Sequence, residues 1–243
     1  MTTAADLEAL LALQDLDTQI DRERHRRAHL PERAELAELR RSAVETGSAR
    51  SEMAASLSEV AARQAVAERE LSATEQRIDQ VNARLYGGSV TASRELQAMA
   101  SDVEGLRKRA SDLEDKVLAL MDEREPLGSA VAGLDKTLAE LSEGESEVAV
   151  RLERAEGEVG AVLAELEAHR PAAAGAVAAS LLAVYERLRS RLGGVAVARL
   201  VGSRCDGCHL SLPAVELDRI RHQPPGALEH CEQCGRILVM VGP

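Results

Sequence analysis

The chain has 243 residues, no Trp, no Phe, two Tyr and a net charge of −11. A globular enzyme of this size normally fills its core with aromatics; Ala, Leu, Glu and Arg dominate here, the composition of long helices and coiled coils. The negative charge argues for solubility and against a whole-molecule attraction to nucleic acid or an anionic membrane, and no apolar run approaches the length of a bilayer span.

The first helix is predicted over about 3–29, with Leu7, Leu10, Leu11, Leu13, Leu16 and Ile20 as its apolar face. Its start is amphipathic and carries Asp6, Glu8 and Asp15, unlike a secretory leader, so a bacterial-type cytoplasm is the expected location. Arg22 to Arg27 holds four Arg against one Glu, and these charges are expected to pair with Glu153, Glu156 and Glu158. His25 and His29 lie four apart, a spacing that could hold a metal, but amid so many charges they read as surface residues. Pro31 can open a new helix, because the first helical position needs no donor.

A heptad beat follows. Leu36, Leu39, Ala43, Thr46, Arg50, Met53, Leu57, Val60, Gln64, Ala67, Leu71, Thr74, Ile78, Val81 and Leu85 step by three and four, and eleven of the fifteen are apolar. The beat is stronger in residues 93–168. There Met99, Val103, Leu106, Ala110, Leu113, Val117, Leu120, Arg124, Leu127, Val131, Leu134, Leu138, Leu141, Glu145, Val148, Leu152, Ala155, Val159, Val162 and Leu166 keep it with only Arg124 and Glu145 polar. A period of 3.5 held this long is a coiled-coil seam. Between the two arms, Tyr86-Gly87-Gly88-Ser89 ends a helix and Ser93 can cap the next. Matched arms around a turn imply an antiparallel hairpin within the chain, with dimerisation in trans as the alternative. Pro126 should kink the second arm or start a new helix, and Gly144, Gly157 and Gly160 should loosen its base.

His169-Arg170-Pro171 is expected to end the second arm, since the residue before proline avoids the helical region. A connecting helix is predicted from Ala172 to Leu192, ended by Gly193-Gly194. Residues 195–201 read as a strand and His209 to Leu212 as its return. A short helix runs from Leu212-Pro213 to about Ile220, and Ala227 to Met240 reads as strand, turn, strand. The expected fold is mainly α: a coiled-coil helical hairpin over 1–170 with its tip near 86–92, a connecting helix over 171–194 and a small β zinc ribbon over 195–243.

The four cysteines form two identical pairs, Cys205/Cys208 and Cys231/Cys234, with 22 residues between the pairs. This spacing is that of a tetrahedral zinc site. Two disulfides are the alternative, disfavoured where thiols stay reduced. With all four ligands from Cys the shell is closed, so a single Zn2+ is structural and the chain is expected to be no enzyme. A metal staple suits a 49-residue segment too short for a large core. Gly207 and Gly235 are expected to free the backbone beside the sulfurs. His209 and His230 are the only rival ligands and are read as surface residues.

Helical hairpin, connecting helix and ribbon, in this order, resemble the bacterial C4-type zinc-ribbon proteins with a coiled-coil hairpin. The resemblance rests on Cys205, Gly207, Cys208, His209, Leu212, Pro213, Cys231, Cys234, Gly235, Arg236, Ile237 and Leu238, and on Arg94-Glu-Leu-Gln and Leu113-Glu-Asp after the tip. Members are described as nucleic-acid-binding or RNA-binding regulators, and some as partners or chaperones of an alternative sigma factor in flagellar control. The resemblance therefore implies a non-enzymatic regulator or adaptor. Its implied partners are nucleic acid, RNA or DNA, and a protein of the transcription or translation machinery, with no membrane and no small-molecule substrate.

Charge gives that reading mixed support. Residues 195–243 hold five Arg against five acids and no aromatic for stacking, and a zinc tetrathiolate adds about −2. The best candidate patch is Arg187, Arg189, Arg191, Arg199 and Arg204, with Arg236 added from the ribbon, against Glu186 and Asp206. The competing reading is a protein–protein scaffold or chaperone without nucleic-acid binding. Its candidate contact is the hairpin tip, with Tyr86 either exposed as a contact or packed as a cap on the coil.

Overall fold

The computed structural model describes residues 2–88, 90–224 and 226–240. Met1 of the expected hairpin, Ser89 of its expected tip, and Pro225 and residues 241–243 of the expected ribbon lie outside the described residues. In chain order the elements are α1 (Ala4–Ala28), α2 (Pro31–Tyr86), α3 (Ser93–Gly175), α4 (Ala179–Arg191), β1 (Val197–Val201), β2 (Arg204–Cys205), α5 (Ala214–Arg221), β3 (Glu229–His230) and β4 (Ile237–Met240). Two compact units result: Met1–Ala34 with Ala149–Pro243, and Glu35–Val148.

The Glu35–Val148 unit is the antiparallel pair of α2 and α3. Every expected seam position of its first arm, Leu36 through Leu85, is buried or half-buried. Val60, Ala67 and Leu120 form one core cluster and Val81, Met99 and Val103 another. The polar interruptions of the seam find partners across the pair. Arg50 Nε lies 2.9 Å from Asp135, Arg40 lies 3.5 Å from Glu145, and Arg124 donates to the buried Gln64 at 3.3 Å. Polar layers of this kind fix register, because a slipped pairing would strand them against apolar neighbours. Pro126 does not break the helix: α3 runs through it without interruption. The seam on either side carries the helix across one missing backbone donor.

At the tip, Gly88 has φ +73°, and a Cβ on Gly87 would sit 2.5 Å from the Ala83 carbonyl oxygen. Ser93 is the first residue of α3 rather than its cap: the Ala92 carbonyl accepts from the N–H groups of Glu95 and Leu96. Tyr86 is 81% exposed, so it does not cap the coil.

In the other unit, Thr3 caps α1, its hydroxyl accepting from Asp6 N–H while the Asp6 carboxylate accepts from Thr3 N–H at 2.8 Å. The apolar face of α1 splits between two clusters. Ile20 packs with Leu30, Val159 and Leu163 at the base of α3. Leu7, Leu10 and Leu13 pack with Val177, Leu181, Tyr185, Ala196, Val197, Ile237 and Val239. The heptad beat shifts here. Leu163 is buried and Val162 is 43% exposed, the reverse of expectation, because two four-residue steps follow one another at Ala155, Val159 and Leu163. That stutter turns α3 toward Ile20 of α1.

The second arm also ends later than expected. α3 continues through Pro171 to Gly175, and the connecting helix α4 starts only at Ala179. Arg170, the pre-proline residue, is held by Asp17 and Glu186 at 2.7 and 2.6 Å, and these ion pairs outweigh a local preference against helix.

The sheet has order β2-β1-β4-β3. β1 and β2 pair antiparallel, as do β3 and β4, while β1 and β4 pair in parallel with Val197 opposite Ile237 and Ala198 opposite Leu238. Alternation sends Val197, Ile237 and Val239 toward α1 and α4, and Ala198, Leu200 and Leu238 toward the cysteines, Leu212 and Ile220. The expected return strand over His209 to Leu212 shrinks to a single bridge, Arg204 to Ser211, because His209 adopts φ +62° and leaves the extended region.

Gly47 and Gly133 lie inside α2 and α3, and a Cβ on either would meet nothing within 4 Å. Replacing either with Ala is therefore expected to raise stability by about 0.5–1 kcal/mol, read as a shift of the urea midpoint without a change of slope.

Candidate metal centre and its surroundings

The two cysteine pairs are built alike. In the first, His209 N–H donates to the Cys205 carbonyl at 2.8 Å and Cys205 N–H donates to the Leu210 carbonyl at 3.0 Å. In the second, Gly235 N–H donates to the Cys231 carbonyl at 2.7 Å and Cys231 N–H to the Arg236 carbonyl at 2.8 Å. The residue after the second cysteine takes the left-handed conformation in both, Gly235 at +73° and His209 at +62°. Gly235 thus serves as expected, whereas Gly207 does not: its φ is not positive. Glycine at 207 makes room instead, since a Cβ there would lie 2.5 Å from Arg236 Cδ and 3.0 Å from Ala198 Cβ.

The four sulfurs lie within 4.8 Å of one another. Cys205 and Cys234 Sγ are 3.9 Å apart, and Cys208 and Cys231 Sγ are 3.8 Å apart. A zinc tetrathiolate with bonds of about 2.3 Å has edges of about 3.8 Å, whereas a disulfide needs about 2.05 Å. All four cysteines are free, so the disulfide alternative falls and the donor set fits one closed, structural Zn2+. Burial raises the Cys205 and Cys231 thiols above their ordinary range. Burial acts the same way on Cys234, but the Arg236 backbone N–H, its guanidinium and the neighbouring sulfurs outweigh it and lower that thiol. Four sulfurs this close repel one another as thiolates unless a cation sits among them. Both rival histidines are exposed, and neither belongs to the cluster.

A family model for the CT398-like coiled coil hairpin domain matches residues 13–193, and one for the C4-type zinc ribbon domain matches residues 204–238. The chain belongs to the CT398-like hairpin family. Uncharacterized protein Rv2229c of Mycobacterium tuberculosis is 27% identical over 238 residues, covering 97% of this chain and 95% of the relative. A solved structure from Mycobacterium smegmatis has a TM-score of 0.89 at 25% identity, covering 99% of this chain and all of that one. CT398 from Chlamydia trachomatis shares the fold, with a TM-score of 0.75 at 20% identity over 97% of this chain and 98% of that one. No helix among the described residues is long and apolar enough to cross a membrane.

In this family member the candidate basic patch is divided. Arg199 pairs with Asp15, Arg189 with Asp17 and Asp21, and Arg236 Nε donates to the Val195 carbonyl at 2.9 Å. Arg187, Arg191 and Arg204 remain exposed. The basic stretch of α1 pairs differently from expectation: Arg24 reaches Glu167 and Asp21, and Arg26 reaches Glu23. Glu156 is taken by Arg33 of α2 instead. The rings of His25 and His29 stack, exposed, with centroids 4.0 Å apart.

Two residues that the sequence reading passed over organise this region. Asp17 is 1% exposed and accepts from Arg170 Nε at 2.7 Å and from the Tyr185 hydroxyl at 2.8 Å, with Arg189 at 3.3 Å. Burial alone would raise its carboxyl, but the bonds from Arg170 and Tyr185 and the charge of Arg189 hold it below the usual range. The same burial pushes the Tyr185 phenol up. Gln14 acts as a substitute strand partner. Its Oε1 accepts from the N–H groups of Ala196 and Val197 at 2.7 and 3.2 Å, and its Nε2 donates to the Gly194 carbonyl at 3.0 Å. The available signal was a pair of polar residues on the leucine face of the first helix.

Cys205→Ser should abolish stoichiometric zinc by elemental analysis and melt the ribbon, whereas His209→Gly should keep the metal. Gly235→Val should cost about 1–2 kcal/mol in a thermal melt, the penalty of a side chain at left-handed φ. Asp17→Asn should destabilise its unit by roughly 2–4 kcal/mol in urea, because two guanidinium groups lose their shared carboxylate. Because the folded Asp17 is depressed, its contribution is complete above the unfolded value of about 3.9 and fades as pH falls below it; a pH series of melts on wild type and Asp17→Asn should converge there.

Proposed function

We propose that the protein is a non-enzymatic, zinc-organised adaptor that docks protein partners, with the ribbon and the hairpin tip as its contact surfaces. The observation that carries this reading is the internal commitment of Arg189, Arg199 and Arg236, half of the residues suited to phosphate. The ribbon meanwhile exposes Val201, Leu210 and Val215, and the tip exposes Tyr86, an apolar ring with a polar end suited to interfaces. The closed sulfur shell leaves no position for a reacting water, which supports a structural ion and no catalysis. A partner from the transcription or translation machinery accords with the family resemblance.

A second reading, nucleic-acid binding, keeps Arg187, Arg191 and Arg204 as its remaining exposed contacts. One experiment separates the two. The zinc-loaded full chain is used to recover partners from extract with and without nuclease, alongside Tyr86→Ala and a triple Arg187/Arg191/Arg204→Glu variant. The adaptor reading expects a protein that survives nuclease and is lost on Tyr86→Ala. Filter binding of single-stranded RNA that weakens steeply with salt and disappears in the triple variant would replace it with the nucleic-acid reading.

A further inference from the structure

One flank of the α2–α3 pair is unlike the rest of its surface. Leu118, Met121, Asp122, Glu125, Gly128 and Ser129 follow the i, i+3, i+4, i+7 rule and share one face of α3. That face borders a groove of about 560 Å3 whose α2 wall includes Leu57 and Gln64. Leu118 is 59% exposed and Met121 48%, two large apolar side chains one turn apart. Gly128 continues the face without a side chain, and a Cβ there would meet nothing within 4 Å, so a neighbouring backbone can approach closely.

The charge around these residues is mainly acidic, with Arg124 as the exception. Glu114, Asp115, Asp122 and Glu125 are exposed on this face, and none of them makes an ion pair among the described residues. The opposite flank differs: Glu123 is paired with Arg63 at 3.3 Å beside Pro126 and Leu127. Arg124, exposed, is the one cation among the groove's lining residues, and its guanidinium donates to Gln64 at 3.3 Å. An apolar strip of Leu and Met bounded by unpaired acids is the complement of an amphipathic helix that carries Leu or Ile on one face and Lys or Arg beside it. Met suits such a groove because its unbranched side chain adapts to a guest.

We propose that this groove, walled by Met121 to Ser129 of α3 and by Leu57 and Gln64 of α2, together with the adjoining face of α3 that carries Glu114, Asp115 and Leu118, docks a basic amphipathic helix of a protein partner as a third strand of the coil. The proposal rests on the adaptor reading for the class of partner and adds a site and a chemistry to it. The acids steer the helix and set its register, and Leu118 and Met121 supply the buried contact.

The test uses the full zinc-loaded chain and a fluorescein-labelled model helix of about 20 residues, Leu on one face and Lys on the other, long enough to hold a helix when bound. Anisotropy titrations at about 50 and about 300 mM salt should show saturable binding that weakens with salt. A peptide of the same composition, shuffled to break its apolar face, should bind at least about tenfold more weakly, and a Glu-for-Lys peptide should not bind. The double variants Leu118→Ser/Met121→Ser and Asp122→Asn/Glu125→Gln alter only exposed side chains and should each lose about tenfold with unchanged helicity. Asp102→Asn/Glu104→Gln, which removes the same charge elsewhere, should bind as wild type. A photoreactive leucine on the peptide should cross-link within residues 114–129.

Equal binding of the shuffled peptide, equal weakening by the Asp102/Glu104 variant, cross-links elsewhere, or no binding would each overturn the proposal. If a protein partner is still recovered through Tyr86 while the model helix fails, the groove is lost and the adaptor reading stands. If the helix binds and no partner depends on Tyr86, the reverse holds.

Discussion

The buried carboxylate of Asp17 is the constraint on which the unit around the ribbon depends. It draws together side chains from α1, the end of α3 and α4, through Arg170, Tyr185 and Arg189. A carboxylate with almost no solvent contact is tolerable only with such a set of donors, and removing any of them leaves a charge uncompensated. Gln14, one turn earlier, extends the same helix into the sheet by satisfying the N–H groups at the entrance to β1. One face of α1 therefore does two jobs: its leucines fill the core, and its polar residues fix where ribbon and helices meet.

This arrangement also decides what the arginines are for. Counting charges along the sequence makes α4 and β1 look like a basic surface. In the folded chain, Asp15, Asp17 and Asp21 of α1 lie against that surface and neutralise half of it. The zinc centre adds negative charge rather than positive. What remains outward is a mixture of scattered cations and exposed aliphatic side chains, and protein docking uses both.

The features written into local spacing were legible. Two C-x2-C pairs announced the metal centre, and alternating three- and four-residue steps announced both arms, because each signal arises from neighbours within a few turns. What escaped depends on residues far apart in the chain. Pro171 was expected to end a helix, but Arg170 is anchored by Asp17, 153 positions earlier. Val162 fitted the heptad, yet a third helix at that level rewards Leu163. His209 looked like any exposed histidine, although it carries the left-handed conformation that Gly235 carries in the other cysteine pair. Residue type signals that conformation when it is glycine and hides it when it is histidine.

The parallel pairing of β1 with β4 has a consequence for how the chain assembles. Among the described strands β4 is made after the other three, yet it occupies an interior place in the sheet and, with α4, covers Leu7, Leu10 and Leu13 of the first helix. During synthesis the two hairpin arms are complete while α1 still shows bare leucines to its surroundings. Closure is then a long-range event joining α1 to β4, two elements far apart in the sequence, the slow class of folding step. A product cut short of Ile237 would carry a finished coil but lack the Ile237 and Val239 part of the cover over α1, and that exposed apolar flank gives quality-control machinery a direct mark of incompleteness.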